Sequence, residues 1–359
     1  MIQVTKPFFP PEEEYQSLLH KIWENGWITN NGPFVKKLED ELKNYLNVKN
    51  LLYVGNGTIA LQIAIKALKL EGEIITTPFS YVATSSSIVW ENCTPVFADI
   101  DPDTFNIDPR EIERKITSKT TAILATHVFG NPCDVEKIRN IANDYNLKVI
   151  YDAAHCFGTS YKGSSIFNWG DISTTSFHAT KIFHSVEGGA VFSSNDELIE
   201  RMSYMRNFGH DGPGKFNGVG INGKNSELHA AMGILNLKYI SEILERRKSQ
   251  FLLYKKKLQD IGVQFQLIEN QSSINYSYFP VVFKNEETLL RIADSLEKKS
   301  IYSRRYFFPS LNKLNYLKGT APISEDISTR ILCLPLYHDL KESEINTIIS
   351  IVRNVLRKS

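Results

Sequence analysis

The sequence predicts an α/β protein in which a mostly parallel sheet, covered by helices, forms a large domain and a smaller α+β domain follows at the C-terminus. Three observations carry that expectation. From Glu73 to Tyr151 the chain repeats a short β-rich run, a polar turn and a helical run, the alternation that builds parallel sheets with ligands beyond their carboxyl ends. A long helical stretch from Ser226 to about Gln259 then leads away from that pattern, and the segments after it are short and mixed. The length of 359 residues suits two domains, placed here at 1–240 and 241–359.

In order, Pro7 to Pro11 is turn-rich, and the loop from Trp27 to Pro33 feeds a helix over Phe34 to Tyr45. Phe34, Leu38, Leu42 and Tyr45 recur there at three and four residues, giving one apolar face. The strand Leu51 to Val54 passes through Gly55-Asn56-Gly57 into a buried helix, Thr58 to Leu68. Strands are expected at Ile74–Thr77, Pro95–Ala98, Thr121–His127 and Lys148–Tyr151, with helices at Ala83–Glu91 and Val135–Tyr145. A strand at Ala190–Ser193 and a helix to Arg206 precede a glycine-rich region, Phe208 to Lys224, of the length that functional loops adopt. The C-terminal elements are Tyr276–Phe283, a helix to about Lys298, Ile301–Phe307, Ile331–Pro335 and a last helix, Glu342–Leu356.

A net charge of +1, from 41 basic and 40 acidic residues, provides no global field for nucleic acid or an anionic membrane. Cys93, Cys133, Cys156 and Cys333 form no CxxC pair, which argues against a zinc site or a dithiol motif, so no metal is expected. The N-terminus lacks an apolar signal core and no stretch has the length of a membrane span, so a cytoplasmic protein with reduced thiols is expected.

Asp152 follows an apolar run ending in Tyr151, and Lys181 comes a few residues after a second β-rich run. If these runs are neighbouring strands, both side chains emerge at one sheet edge, which is what a Schiff-base site for an aromatic aldehyde cofactor requires. The plainer alternative is an aspartate capping a turn and a solvated lysine. Gly57 and Thr58, at the mouth of a helix, are candidate phosphate binders; a tight turn is the alternative.

Taken together, Asn56-Gly-Thr-Ile-Ala-Leu61, Asp152-Ala-Ala-His155, Ser176-Phe-His-Ala-Thr-Lys181 and Glu187-Gly-Gly189 resemble the DegT/DnrJ/EryC1/StrS family of nucleotide-sugar aminotransferases. These are enzymes of fold type I that depend on pyridoxal 5'-phosphate (PLP). The resemblance runs from Gly26-Trp-Ile-Thr to Leu334-Pro-Leu336. It implies that Lys181 bonds the cofactor and moves protons, that Asp152 pairs with the pyridine nitrogen, and that His155 lies against the ring or its phenolic oxygen. Tyr81 would stack on the ring, and Ser176, Gly57 and Thr58 would hold the phosphate. Asn222 would reach the phosphate of a neighbouring subunit, making the active unit a homodimer. Gly223-Lys224 stand where the family commonly has Tyr-Arg, and Lys224 cannot reproduce an arginine's fork.

The resemblance further implies that L-glutamate loads the cofactor as pyridoxamine phosphate. A nucleoside-diphosphate keto-deoxysugar, dTDP-4-keto-6-deoxyglucose or its 3-keto isomer, would then take the amine for surface polysaccharide such as lipopolysaccharide O-antigen. Arg304-Arg-Tyr-Phe-Phe-Pro-Ser310 looks like wording found among those enzymes, placing Arg304 and Tyr306 near the substrate. Lys181 separates the chain from dehydratase relatives, which carry histidine there. The alternative is a regulatory homologue that binds PLP without turnover.

Overall fold

The structure, a computed structural model, describes residues 1–357. Helices α1 (Glu12–Asn25) and α2 (Pro33–Leu46) precede strand β1 (Leu51–Val54), which is followed by α3 (Gly57–Ala67), β2 (Glu73–Thr76), α4 (Val82–Trp90) and β3 (Thr94–Phe97). Next come α5 (Pro109–Lys115), β4 (Thr120–Thr126), α6 (Val135–Asp144), β5 (Lys148–Asp152) and the two-residue strands β6 (Ser160–Tyr161) and β7 (Ser164–Ser165). Strands β8 (Ile172–Ser176) and β9 (Gly189–Phe192) lead to α7 (Asp196–Met205) and the long α8 (Glu227–Leu258). The chain ends with β10 (Ser272–Ser273), β11 (Phe279–Val282), α9 (Glu286–Glu297), α10 (Pro322–Arg330), β12 (Ile331–Leu334) and α11 (Glu342–Arg357).

The central sheet has the order β1-β9-β8-β5-β4-β2-β3. Pairings are parallel from β8 to β3, while β9 runs antiparallel to both β1 and β8. One reversed strand therefore brings Gly189, its first residue, to the edge where the other strands end, in register with Val54 and Ser176.

Side chains alternate across each strand, and the alternation sorts them into two cores. Leu51, Tyr53, Ile75, Ile123 and Ala125 face the layer of α2 and the N-terminal half of α8. Leu52, Val54, Ile74, Ala122 and Leu124 face α3. A third core joins the C-terminal half of α8 to β11, β12, α9 and α11. Residue 240, the expected boundary, thus falls within a helix that contributes to both halves. Phe79, Phe105 and Phe129 pack with Tyr278 and Phe307 to bind the C-terminal layer to the sheet edge.

Helices α1, α5 and α10 have no counterpart in the pattern expected from the sequence. Helix α1 buries only Ile22 fully and opens with three glutamates, and α5 and α10 have seven and nine residues, too few to show a period. Two further expectations are corrected. Tyr45 is 39% exposed and Leu46 takes the buried place on α2, because the helix rolls Tyr45 to the rim, where it stacks on Phe157. Ile301–Phe307 forms no strand: Ile301 bridges Ile2 while Arg304 bridges Cys333, and partners on different segments prevent a continuous ladder.

The loop of Trp27 is tied down by a buried charge. Glu227, fully buried, accepts hydrogen bonds from the Phe34 and Val35 backbone N–H groups at 2.7 and 2.9 Å. Its carboxylate thereby satisfies the free donors at the start of α2 and faces the positive end of that helix.

Candidate active site

At the carboxyl edge of the sheet lies a cavity of about 740 Å³ whose lining includes Asn56, Gly57, Tyr81, Asp152, Lys181 and Arg304. The strands that end there were read from the sequence as one edge, and the pairing β5–β8 makes Asp152 and Thr174 direct neighbours.

Asp152 is 7% exposed. Its Oδ2 accepts a 2.7 Å hydrogen bond from the Thr84 hydroxyl and Oδ1 one of 3.2 Å from the Ala154 N–H. The Thr84 hydroxyl contacts Ser80 Oγ at 2.7 Å, which in turn contacts Thr126 Oγ1 at 3.0 Å, so a chain of hydroxyls orients the carboxylate. Burial raises its pKa, against the pull of Thr84, Ala154 and Lys181. A carboxylate in that position is stabilised by a cation brought against it.

Lys181 follows β8 in a turn whose backbone is pinned by Lys181 N–H donating to the His178 carbonyl at 2.9 Å. Burial lowers its amine to about 8, opposed by Asp152. Desolvation wins over the attraction here, and the consequence is a sizeable neutral, nucleophilic fraction near physiological pH.

Asn56 caps α3, its Oδ1 accepting from Ile59 N–H at 2.8 Å. The Gly57 and Thr58 N–H groups remain for an anion at the positive end of the helix. Ser176 lines the same corner, and the fit there is close: a Cβ on Gly57 would lie 2.9 Å from the Ser176 Cβ, and one on Gly189 2.6 Å from the Asn56 carbonyl carbon. Glycine at both positions lets helix and strands approach.

His155 is buried, and burial holds its pKa well below the ordinary value. Its Nδ1 accepts from the Phe129 N–H at 3.3 Å, so the neutral ring carries its proton on Nε2. The ring lies parallel to those of Phe129 and Phe307. Tyr81, at the start of α4, lines the rim and is 57% exposed.

Arg304 and Tyr306 line the opposite wall, with the guanidinium 5.0 Å from the Tyr306 ring centre. Asn222 and Lys224 stand apart: neither lines the cavity of its own chain, Lys224 Nζ donates to Asn222 Oδ1 at 2.8 Å, and the ammonium lies over the Phe208 ring. Sequence reasoning missed Thr84, whose sole signal is a nine-residue helix with four hydroxyl residues in an otherwise apolar run. It also missed Tyr278, read merely as part of a β-rich segment, and the rim pair His178–Glu187, whose Nε2 and Oε1 are 3.5 Å apart.

These donors fit a phosphorylated aromatic aldehyde with a ring nitrogen. Lys181 offers an amine, Asp152 a buried carboxylate in want of a cation, and the start of α3 two free N–H groups. Among the described residues there is no cluster that could hold a metal ion, and no helix is long and apolar enough to cross a membrane.

Comparison with known proteins agrees with that chemistry. Residues 11–353 match the DegT/DnrJ/EryC1/StrS aminotransferase family. The chain is 41% identical to dTDP-4-amino-4,6-dideoxy-D-glucose transaminase from Shigella dysenteriae, covering 99% of both chains. It superposes with a TM-score of 0.93 on DesI solved in the presence of its TDP-sugar product, at 30% identity, with 99% of this chain and 93% of that one covered. A putative sugar aminotransferase, Spr1654 from Streptococcus pneumoniae, solved in its PLP form, shares the fold with a TM-score of 0.92 at 23% identity, over 99% of each chain. The chain belongs to the DegT/DnrJ/EryC1/StrS aminotransferase family and is a PLP-dependent nucleotide-sugar transaminase.

Proposed function

We propose that the protein transfers the amino group of L-glutamate to C4 of dTDP-4-keto-6-deoxyglucose. The observation that carries the choice of sugar is the 41% identity, over 99% of both chains, to a transaminase named for the 4-amino-4,6-dideoxyglucose product. The site residues support the reaction class. PLP supplies an electron sink that stabilises a carbanion next to nitrogen.

In this reading Lys181 Nζ would hold the cofactor through its aldehyde and would be the base that moves a proton at the substrate carbon. Its amine, held at about 8 by burial, is close to the operating pH, where a group that must both accept and return a proton works best. Asp152 keeps the ring nitrogen protonated, with Thr84 fixing the carboxylate's direction. The N–H groups of Gly57 and Thr58, with Ser176, would hold the phosphate, Tyr81 would cover one ring face, and His155 would donate from Nε2 toward the phenolic oxygen.

Asn222, exposed on the loop outside its own cavity, completes the phosphate site of a second subunit in this reading. Chains of Lys181→Ala and Asn222→Ala, mixed as hybrid dimers, should then regain activity that neither variant has alone; hybrids as inactive as the parents would remove Asn222 from the partner's site.

The sugar is tested directly. Purified enzyme is incubated with L-glutamate and either the 4-keto or the 3-keto dTDP-6-deoxysugar, and the new nitrogen is located by NMR. Nitrogen at C4 is expected. Transfer to C3 alone, or to neither sugar, would overturn the assignment.

A further inference from the structure

Two adjacent arginines in one segment have opposite fates. Arg305 is neutralised: its Nη2 donates to Glu286 Oε1 at 2.6 Å and to the Thr329 carbonyl at 3.0 Å, and its guanidinium stacks on Phe308. The Arg304 guanidinium lines the cavity instead and makes no hydrogen bond or ion pair among the described residues; its one side-chain partner is the Tyr306 ring, while its backbone pairs with Cys333. Beside it, the phenol of Tyr278 is buried, lines the cavity and has no hydrogen-bond partner among the described residues. Rings of Tyr278 and Tyr306 meet edge to face at 5.3 Å. This wall therefore ends in one free guanidinium and a tyrosine hydroxyl that has no hydrogen-bond partner among the described residues.

The other positive charges of the cavity are spoken for. Lys181 and the start of α3 are committed to the cofactor in the proposed function, on which this inference rests. His178 accepts from the Thr180 N–H at Nδ1 and turns Nε2 to the Glu187 carboxylate, so it is engaged at the rim. Arg304 is then the single uncommitted fixed cation among the residues lining the cavity. Yet the reaction brings in two anions in turn, a donor carboxylate and a nucleotide-sugar diphosphate. Carboxylate and phosphate oxygens present the same paired-acceptor geometry to a guanidinium fork.

We propose that Arg304, oriented by Tyr306, is a shared anion anchor that holds the donor's α-carboxylate in the first half-reaction and a diphosphate oxygen of the nucleotide sugar in the second. One anchor serving both ligands makes their occupancy mutually exclusive, as a reaction with alternating substrates needs. The Tyr278 hydroxyl gives the bound anion a neutral donor next to the charge.

The test uses dead-end ligands on the PLP-loaded enzyme, so that it reads binding and not turnover. Neither 2-oxoglutarate nor thymidine diphosphate can react with that form, and calorimetry gives the affinity of each alone and in the presence of the other. In the unaltered enzyme, saturating either ligand should weaken the other by about tenfold or more. Arg304→Ala should weaken both by about tenfold, the loss expected when a charged hydrogen-bond partner is removed. Arg304→Lys should recover part of each affinity, because it restores the charge and not the fork. Arg305→Ala, the control for damage to this segment, should leave both within about twofold, since its group is engaged outside the cavity.

Simultaneous binding of the two ligands without interference would overturn the proposal, as would an Arg304→Ala effect on one ligand alone. An Arg305→Ala effect equal to that of Arg304→Ala would also overturn it, since the role would then be structural. Failure of L-glutamate to bleach the unaltered enzyme's visible absorbance is a separate result, which would count against the aminotransferase reading itself.

Discussion

Along the sheet wall of the cavity, Asp152 and Ser176 end paired strands and Thr174 lies beside Asp152; backbone register sets their directions, and the Thr84–Ser80–Thr126 hydroxyl chain orients the Asp152 carboxylate. Across from them Tyr278, Arg304, Tyr306 and Phe307 are placed by ring contacts at 5 to 6 Å. Register tolerates no drift, because a slip of one residue turns every side chain to the other face. Ring contacts are softer and allow side chains of different size. In the proposed reading the difference separates two duties: a wall that fixes the cofactor chemistry, and a wall that selects what is aminated. Substitutions on the sheet wall should therefore remove chemistry at nearly constant affinity, whereas those opposite should alter affinity and spare chemistry.

The largest effect is expected for Lys181→Ala. In the proposed reading the amine is the proton carrier, so single-turnover transfer should fall by about ten thousandfold or more. Among the described residues the Lys181 side chain makes no hydrogen bond to lose, and a desolvated amine is removed, so the thermal midpoint should hold or rise slightly. Transfer above roughly a hundredth of the original rate would end the assignment of Lys181 as the base, since one general base contributes about two to four powers of ten beyond positioning. Asp152→Asn comes next. Asparagine has one acceptor oxygen, enough for the Thr84 hydroxyl but not also for the Ala154 N–H, and in the proposed reading it loses the charge that would keep the ring nitrogen protonated; both half-reactions should slow by about a hundredfold or more while the KM for each substrate changes little. A variant with unaltered rates and a raised KM would place Asp152 on the wrong side of the comparison.

A pH measurement reads the same wall without substrate. Because burial holds the Lys181 amine at about 8, capture of PLP by the apoprotein should fall about tenfold per pH unit below that value and level off above it, as the neutral amine alone attacks. The sign carries over to stability. The unfolded chain keeps its lysine proton up to the ordinary range while the folded apoprotein has released it, so the folded form gains stability as pH rises from about 8 toward that range. Lys181→Ala should flatten that slope; an unchanged slope would assign it to other groups.

How much of this was legible in the sequence follows from the same division. Asp152 and Lys181 could be read because each follows a β-rich run, and strand adjacency places both at one edge; Gly57 could be read because an anion-binding helix start needs a residue without a side chain there. Thr84 could not, since its contact with Asp152 spans 68 positions along the chain and nothing local marks a hydroxyl that faces inward. Tyr278 looks like any strand aromatic until Phe307 folds over His155. The contrast of Arg304 with Arg305 depends on which face of an extended segment meets Glu286, a matter of the partner and not of the segment. Asn222 and Lys224 lie outside the cavity of their own chain, so their sequence signal has no counterpart within one subunit.

The smallest effect is expected on the C-terminal wall, for Tyr278→Phe. The ring contacts with His155 at 4.8 Å and Tyr306 at 5.3 Å survive the change, and the hydroxyl has no partner among the described residues to leave stranded. What is lost is one neutral hydrogen bond to a bound substrate, so the KM for the nucleotide sugar should rise by about three- to tenfold with kcat nearly unchanged. Stability should stay within about 0.5 kcal/mol, because no buried group of the protein loses a partner. A fall in kcat at constant KM would instead move Tyr278 to the chemistry of Lys181, and the division of labour between the two walls would have to be redrawn through this residue.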